Sequence, residues 1–257
     1  MKKTFFASDF HLGIDARLTS RERERQLVRW LEKVAPEAEQ IFLVGDIWEF
    51  YVEYKSVVPK GSVRLLGKLA ELRDGGLDIE FFTGNHDLWM GRYFEEELGI
   101  LTHRQPILRE INGKTCFIGH GDGLGPGDTG YKILKKIFTN PTCQSLFRLL
   151  HPDFGGALGQ FWSGKSRDKN LQEDLKFLGA EGEWLIQYCE RKSRSVEVDY
   201  FIFGHRHLPI DWLLSNGKTR YVNLGDWMRW NTFAVLDGTG VSVEVFENGP
   251  VKIYKND

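Results

Sequence analysis

The chain has 257 residues, long enough for one substantial core with a small subdomain and marginal for two independent ones. Charged residues at 27% and hydrophobic ones at 41% are ordinary globular proportions, which sets aside disorder, collagen and coiled coil. With 34 Lys and Arg against 36 Asp and Glu, the net charge of −2 predicts no nucleic-acid partner, and any basic surface must be local.

Met1-Lys2-Lys3 is followed by an apolar stretch that reaches only Ala7, too short for a signal peptide, and no run of about 18 apolar residues appears. Three separated cysteines (Cys116, Cys143, Cys189) fit neither a disulfide framework nor a Cys-based zinc site, so a reducing, cytoplasmic setting is expected. Thr4 to Ser8, Gln40 to Val44 and Ile79 to Thr83 read as buried strands, each bounded by Gly, Asp or Asn. Between the first two, Thr19 to Ala35 is a predicted helix. It opens on a Thr19/Glu22 capping box and carries Leu27, Trp30, Leu31 and Val34 at helical spacing. Ser62 to Arg73 repeats the pattern and stops at Gly75-Gly76. This alternation implies parallel strands with crossover helices.

Ile107 to Ile111 and Thr115 to Ile118, around Asn112-Gly113, predict a hairpin. A glycine-rich turn over 119–130 then leads into an aromatic, helical stretch from Tyr131 to about Glu190. Tyr200 to Phe203, a hairpin around Asn216-Gly217, Thr232 to Leu236 and Val241 to Phe246 return to strands. The expected fold is α/β, two stacked mixed sheets with helices outside. Residues 1–124 and 191–257 form its core and 125–190 a helical cap.

Seven histidines punctuate the chain, and five follow predicted strand ends. In order, the loops concerned are Asp9-Phe10-His11, Gly45-Asp46, Gly84-Asn85-His86-Asp87, Gly119-His120-Gly121-Asp122 and Gly204-His205-Arg206-His207. Taken singly each is a weak signal: a Gly-Asp after a strand is usually a turn, and either Asp-x-His or His-x-His pair reads equally as chelating or as surface polar residues. Together they lie where α/β sheets bind ligands, at the carboxyl ends of strands, so they can meet at one point. Period-two alternation predicts that Asp9 and His11 share a face, as do His205 and His207. Asp9, Asp46 and Asn85 supply oxygens; His11, His120, His205 and His207 supply imidazoles. Seven ligands exceed one tetrahedral zinc and suit two divalent ions bridged by a carboxylate. With no thiolate in the set, manganese, iron and zinc all remain open.

These blocks resemble the signature of the calcineurin-like metallophosphoesterases. The resemblance spans roughly residues 1 to 122 and 199 to 230, and implies a four-layer sandwich of two mixed sheets flanked by helices. Asp9, His11, Asp46 and His207 then match the ligands of one metal. Asp46, Asn85, His120 and His205 match those of the other, with Asp46 bridging. His86 matches the histidine that assists phosphoryl transfer, with Asp87 as its partner by pattern.

From Tyr131 to Asn170 there are seven Lys or Arg (Lys132, Lys135, Lys136, Arg148, Lys165, Arg167, Lys169) against two acids (Asp153, Asp168), so the remainder of the chain is acidic. Tyr131, Leu134 and Phe138 with Ile133 and Ile137 form an apolar stripe, with Lys132, Lys135 and Lys136 expected on the opposite face. Such a cap suits an acylated diphosphate substrate and an anionic membrane surface, or an ordinary amphipathic helix pair packed on the core. Gly125-Pro126-Gly127-Asp128-Thr129-Gly130-Tyr131 and Ser166-Arg167-Asp168-Lys169-Asn170 are similar to the cap of the UDP-2,3-diacylglucosamine diphosphatases of lipid A synthesis. That resemblance implies a nucleotide-linked acylated sugar as substrate, two manganese ions, and attachment to the cytoplasmic face of an inner membrane. It also implies a substrate pocket lined by Asn85, His86, Asp128, Tyr131, Ser166, Asn170 and His205. Two positions depart from the subfamily: His86 stands where members have Arg, and Glu173 where they have Lys. The competing readings are a related enzyme acting on another lipid or nucleotide phosphoester, a nuclease, and a scaffold without catalysis. His103 and His151 match no motif and read as surface or cap residues. Arg206 reads as a phosphate contact or an exposed turn residue, and Trp48, Trp89, Trp227 and Trp230 as core or rim packing.

Overall fold

The structure, a computed structural model, describes residues 2–125, 129–159 and 176–256. In the first sheet, β1 (Lys3–Ala7), β2 (Ala38–Val44), β3 (Asp78–Phe82) and β4 (Leu101–His103) run parallel. They are joined by α1 (Ser20–Val34), α2 (Val63–Asp74) and the short α3 (Tyr93–Glu97). Beyond β1 the sheet continues with β10 (Thr232–Asp237), antiparallel to β1, and β11 (Gly240–Val245), antiparallel to β10, in the order β11-β10-β1-β2-β3-β4. The second sheet comprises β5 (Ile107–Ile111), β6 (Lys114–Gly119), β7 (Tyr200–Phe203), β8 (Pro209–Leu213), β9 (Arg220–Leu224) and β12 (Tyr254–Lys255). Its order is β12-β8-β9-β7-β6-β5, with β6, β7 and β9 parallel. The expected pair of mixed sheets is therefore present.

Strand alternation sorts the core into layers. Phe5, Ala7, Ile41 and Leu43 pack outward with Leu27, Trp30 and Leu31 of α1 and Leu65 and Leu69 of α2. Their neighbours Phe6, Phe42 and Val44 turn inward and meet Ile118, Ile202 and Val222 between the sheets. On the far face, Phe201 and Phe203 pack with Leu185, Ile186 and Cys189. The Thr19/Glu22 capping box forms as expected. α2 starts differently: Ser62 makes no capping bond, and Glu24 of α1 accepts from the Arg64 and Leu65 amides instead. The β5–β6 hairpin turns through Asn112 and Gly113, both at positive φ, the pairing that a tight hairpin favours.

Among the described residues, the expected helical stretch is broken into α4 (Thr129–Phe138), α5 (Pro141–Phe147), α6 (152–159), α7 (Gly179–Gly182) and α8 (Trp184–Lys192). Asn140 stops the first by capping the second, its side chain accepting from the Thr142 and Cys143 amides, with Pro141 in the first turn. No described helix is long and apolar enough to cross a membrane.

Candidate metal centre

All five motif loops leave the carboxyl ends of parallel strands, three from the first sheet (β1, β2, β3) and two from the second (β6, β7). The site therefore sits where the same ends of both sheets come together. His207 Nε2 lies 3.2 Å from Asp9 Oδ1, and His120 Nε2 lies 3.2 Å from Asp46 Oδ2. Asn85 Oδ1 is 2.8 Å from His205 Nδ1 and 3.2 Å from His120 Nε2. Three sets of potential ligand atoms each fall within 4.8 Å of one another: Asp9–His11–His207, His11–Asp46–His86 and Asp46–His120–His205. Asp46 belongs to two of them, the position a bridging carboxylate needs.

The loops reach this geometry by a route that strand alternation does not describe. Asp9, His11, Asp46, His205 and His207 all lie past their strand ends with φ between 47° and 67°. Such left-handed conformations cost a non-glycine residue about 1 kcal/mol or more each, and cluster where function requires them. The shared face of Asp9 and His11, and of His205 and His207, thus comes from curled backbone rather than from period-two pleating. Backbone bonds hold the curls: the Asp9 amide donates to the Gly45 carbonyl, and the His11 amide to the Asp46 carbonyl.

The glycines in the motifs clear space for the ligands. A Cβ on Gly45 would lie 2.6 Å from His120 Nδ1, and one on Gly204 would lie 2.5 Å from Asp9 Oδ2. On Gly84 it would run into Asp46 Oδ1.

Asp9 and Asp46 are fully buried, and His11 Nε2 faces His207 Nε2 at 3.2 Å. Imidazole nitrogens this close, beside two buried carboxylates, require protons or a cation between them. Oxygen and imidazole donors without thiolate fit a divalent metal. In the protein alone, protons take that role. Burial opposes charge on His11 and His120. Asp9 and Glu49 outweigh it at His11, pushing it up to about 9, and Asp46 at His120, pushing it up to about 10. Burial likewise opposes ionisation of Asp46, yet His120 and His86 hold its carboxyl below the usual range. His205 is lowered to about 4 by burial and by repulsion from His120.

His86 joins the cluster with its amide on Asp46 Oδ1 at 2.9 Å and its Nδ1 on the Glu49 carbonyl at 2.8 Å. Asp87 takes a different post: its oxygens accept from the Gly84 amide at 2.5 Å and the Ile47 amide at 3.0 Å, stapling the 84–87 turn to the Asp46 loop. Burial and Asp46 push its carboxyl up to about 7. Two carboxylates outside the expected set stand behind the histidines, Glu49 with Oε2 2.9 Å from His11 Nδ1 and Asp226 with Oδ2 3.5 Å from His207 Nδ1. Both had a sequence signal. Glu49 is the lone acid in the apolar run 47–52, and Gly225-Asp226 follows a strand just as Gly45-Asp46 does.

Of the expected substrate residues, Asp128, Ser166 and Asn170 lie outside the described residues, as do the side chain of Tyr131 and Glu173. What is described of the cap inverts the expected faces. Lys135 Nζ bonds Asp122 Oδ2 at 2.5 Å, Lys132 Nζ bonds the Gly125 carbonyl, and Arg148 bonds the Glu53 carbonyl. Ile133, Leu134, Ile137, Leu146, Leu149 and Phe154 are exposed. Phe138 and Phe147 anchor the cap on Trp89. His103 is not a surface residue: it is half-buried on β4 and bonds Glu80 at 2.5 Å. His151 is exposed. Trp48, Trp89 and Trp227 pack in hydrophobic clusters, with Trp230 at the margin of one.

No protein-family model matches the chain. It is 40% identical over 260 residues to the UDP-2,3-diacylglucosamine hydrolase of Porphyromonas gingivalis, covering 96% of this chain and 98% of that one. The protein of the same name from Aeromonas salmonicida is 28% identical, covering 90% and 89%. A solved phosphoesterase from E. coli, Yfce, is 15% identical with a TM-score of 0.47, covering 96% and 95%. With a cluster of buried carboxylates and imidazoles suited to divalent metal, and 40% identity along almost the whole of both chains, this protein is a hydrolase and belongs to the UDP-2,3-diacylglucosamine hydrolase family.

Proposed function

We propose that the protein hydrolyses the diphosphate of UDP-2,3-diacylglucosamine to UMP and 2,3-diacylglucosamine 1-phosphate, a step of lipid A synthesis. The observation that carries this reading is the near full-length identity to a hydrolase of that name. The seven-residue cluster supports it. Asp9, His11, Asp46 and His207 would hold one divalent ion and Asp46, Asn85, His120 and His205 the other, manganese being the proposed metal and iron or zinc suiting the same donors. When bound, the two cations supply Lewis-acid stabilisation of the charge that develops on the phosphoryl oxygens. His86, its ring oriented by the Nδ1 contact with the Glu49 carbonyl, would assist departure of the leaving oxygen. Asp87 keeps the turn that carries Asn85 and His86 against the Asp46 loop.

Residues 1–124 and 191–257 form the catalytic core in this reading and 125–190 the cap. Asp128, Tyr131, Ser166 and Asn170 of the cap, with Asn85, His86 and His205, line the substrate pocket. Exposed Ile133, Leu134, Ile137, Leu146 and Leu149 on the cap support contact with acyl chains and with the cytoplasmic face of an inner membrane. The test is UMP release from UDP-2,3-diacylglucosamine with Mn²⁺ present. Absence of release, alongside robust hydrolysis of a simple phosphodiester, would move the protein to a different phosphoester.

A further inference from the structure

We infer that Glu49 is a positioning residue that holds two histidines of the site at once, deciding which nitrogen each turns toward metal and substrate. The inference rests on the reading that His11 is a metal ligand and that His86 assists phosphoryl transfer. Glu49 is 2% exposed and lies three positions after Asp46, on the segment that leaves β2. Its amide donates to the Leu12 carbonyl at 2.9 Å, and Leu12 and Trp48 form a parallel bridge, so the segment is locked against the Asp9–His11 loop. From that fixed point, Oε2 reaches His11 Nδ1 at 2.9 Å and the Glu49 carbonyl reaches His86 Nδ1 at 2.8 Å. Oε1 stands 3.8 Å from the same His86 nitrogen. The two rings meet edge to face, centroids 4.9 Å apart.

Carboxylate and carbonyl oxygens only accept, so each ring must carry a proton on Nδ1. His11 is thereby left with Nε2 as its coordinating atom, the nitrogen 3.9 Å from Asp46 Oδ2 and 3.2 Å from His207 Nε2. The same segment turns the Nδ1 edge of the His86 ring toward Glu49. A charged residue inside the apolar run Ile47, Trp48, Phe50, Tyr51, Val52 is costly as core, and the side-chain bond to His11, with Oε1 also facing His86, accounts for its presence.

The test uses the full chain stripped of metal, with Mn²⁺ binding followed by titration calorimetry and folding by circular dichroism. Glu49→Met keeps the bulk and removes the acceptor; Glu49→Gln keeps an acceptor oxygen. Glu49→Met is expected to weaken one Mn²⁺ equivalent by about 10- to 100-fold while leaving the melting profile cooperative, and Glu49→Gln to stay close to wild type. Wild-type affinity in Glu49→Met, or equal losses in both variants, overturns the inference. Wild-type protein that takes up no Mn²⁺ overturns the metal reading itself, and this inference with it.

Discussion

Arg206 meets Glu183 through two hydrogen bonds, 2.7 Å from Nε and 3.0 Å from Nη2, with both side chains buried. A third bond runs from Arg206 to the Lys176 carbonyl at 2.6 Å. Arg206 is therefore not an exposed turn residue. It stands between His205 and His207 and ties their loop to the start of α8, where the neighbouring Trp184 ring lies edge-on to His205 at 5.6 Å. Breaking a buried ion pair strands a charge, whereas removing both charges does not. Arg206→Met or Glu183→Met alone should lower stability by about 3–5 kcal/mol, and the double variant should recover most of that loss. Urea unfolding reads the effect; losses that simply add would show that the pair is not coupled.

Gly84→Ala should damage the site more than the fold. Gly84 has an ordinary backbone conformation, so alanine adds little strain of its own. Its Cβ would collide with Asp46 Oδ1, the oxygen that accepts from the His86 amide, and one atom would displace both residues. Hydrolysis should fall by about 10²-fold or more, the scale of an ångström-sized misplacement. Circular dichroism should stay near wild type. Full activity in Gly84→Ala would mean that Asp46 has room the structure does not give it. Asp46→Ala, by removing the residue shared by both proposed metal sets, should abolish Mn²⁺-dependent hydrolysis with little loss of secondary structure.

Glu80 joins the edges of the two sheets and gives the fold a defined acid sensitivity. It lies buried on β3 and accepts from His103 on β4 at 2.5 Å and from Arg109 on β5 at 3.1 Å. Burial raises its carboxyl, but His103 and Arg109 outweigh that and hold it below the usual 4.5. A carboxyl lowered on folding stabilises the native state above its unfolded value, and that contribution disappears as pH falls through the folded one. Glu80→Gln should therefore cost about 1.5–3 kcal/mol at pH 7, the scale of hydrogen bonds to a charged group. The gap to wild type should close as pH drops below 4.5. Urea midpoints against pH give the comparison, and a gap independent of pH would remove the carboxylate from the account.

The proposed ligands are legible in the sequence because each is a polar residue that interrupts an apolar run at a strand end. Where they sit follows from the direction of parallel strands. What supports them is not legible. Arg206 finds Glu183 across 23 positions and Glu80 finds Arg109 across a sheet boundary, neither at a spacing that any local period announces. The left-handed turns at Asp9, His11, Asp46, His205 and His207 run against local propensity and persist through tertiary bonds such as the Trp227 amide on the Asp9 carbonyl. β4 is three residues long, too short to show alternation. In the cap, amphipathic spacing marks the helices but not which face is wet. The usual assignment, lysines outward, fails because Lys132 and Lys135 are tied to carbonyl and carboxylate oxygens of the core.

That inversion decides how the cap should meet a membrane. Among the described residues, three of the five basic side chains of the cap bond the protein, and Lys136 and Lys176 stand exposed. The outer face is apolar instead, with Leu146 and Leu149 exposed by 62% and 81%. Burying a leucine side chain is worth about 1.5–3 kcal/mol, whereas a basic residue near an anionic surface adds about 1 kcal/mol and is screened by salt. Apolar insertion should therefore dominate, and co-sedimentation with vesicles containing phosphatidylglycerol should weaken only modestly as salt rises. Leu146→Ser with Leu149→Ser should lower vesicle binding by about tenfold or more while hydrolysis of a water-soluble phosphodiester stays unchanged. Binding that collapses with salt and ignores the two leucines would assign the surface to charge rather than to insertion.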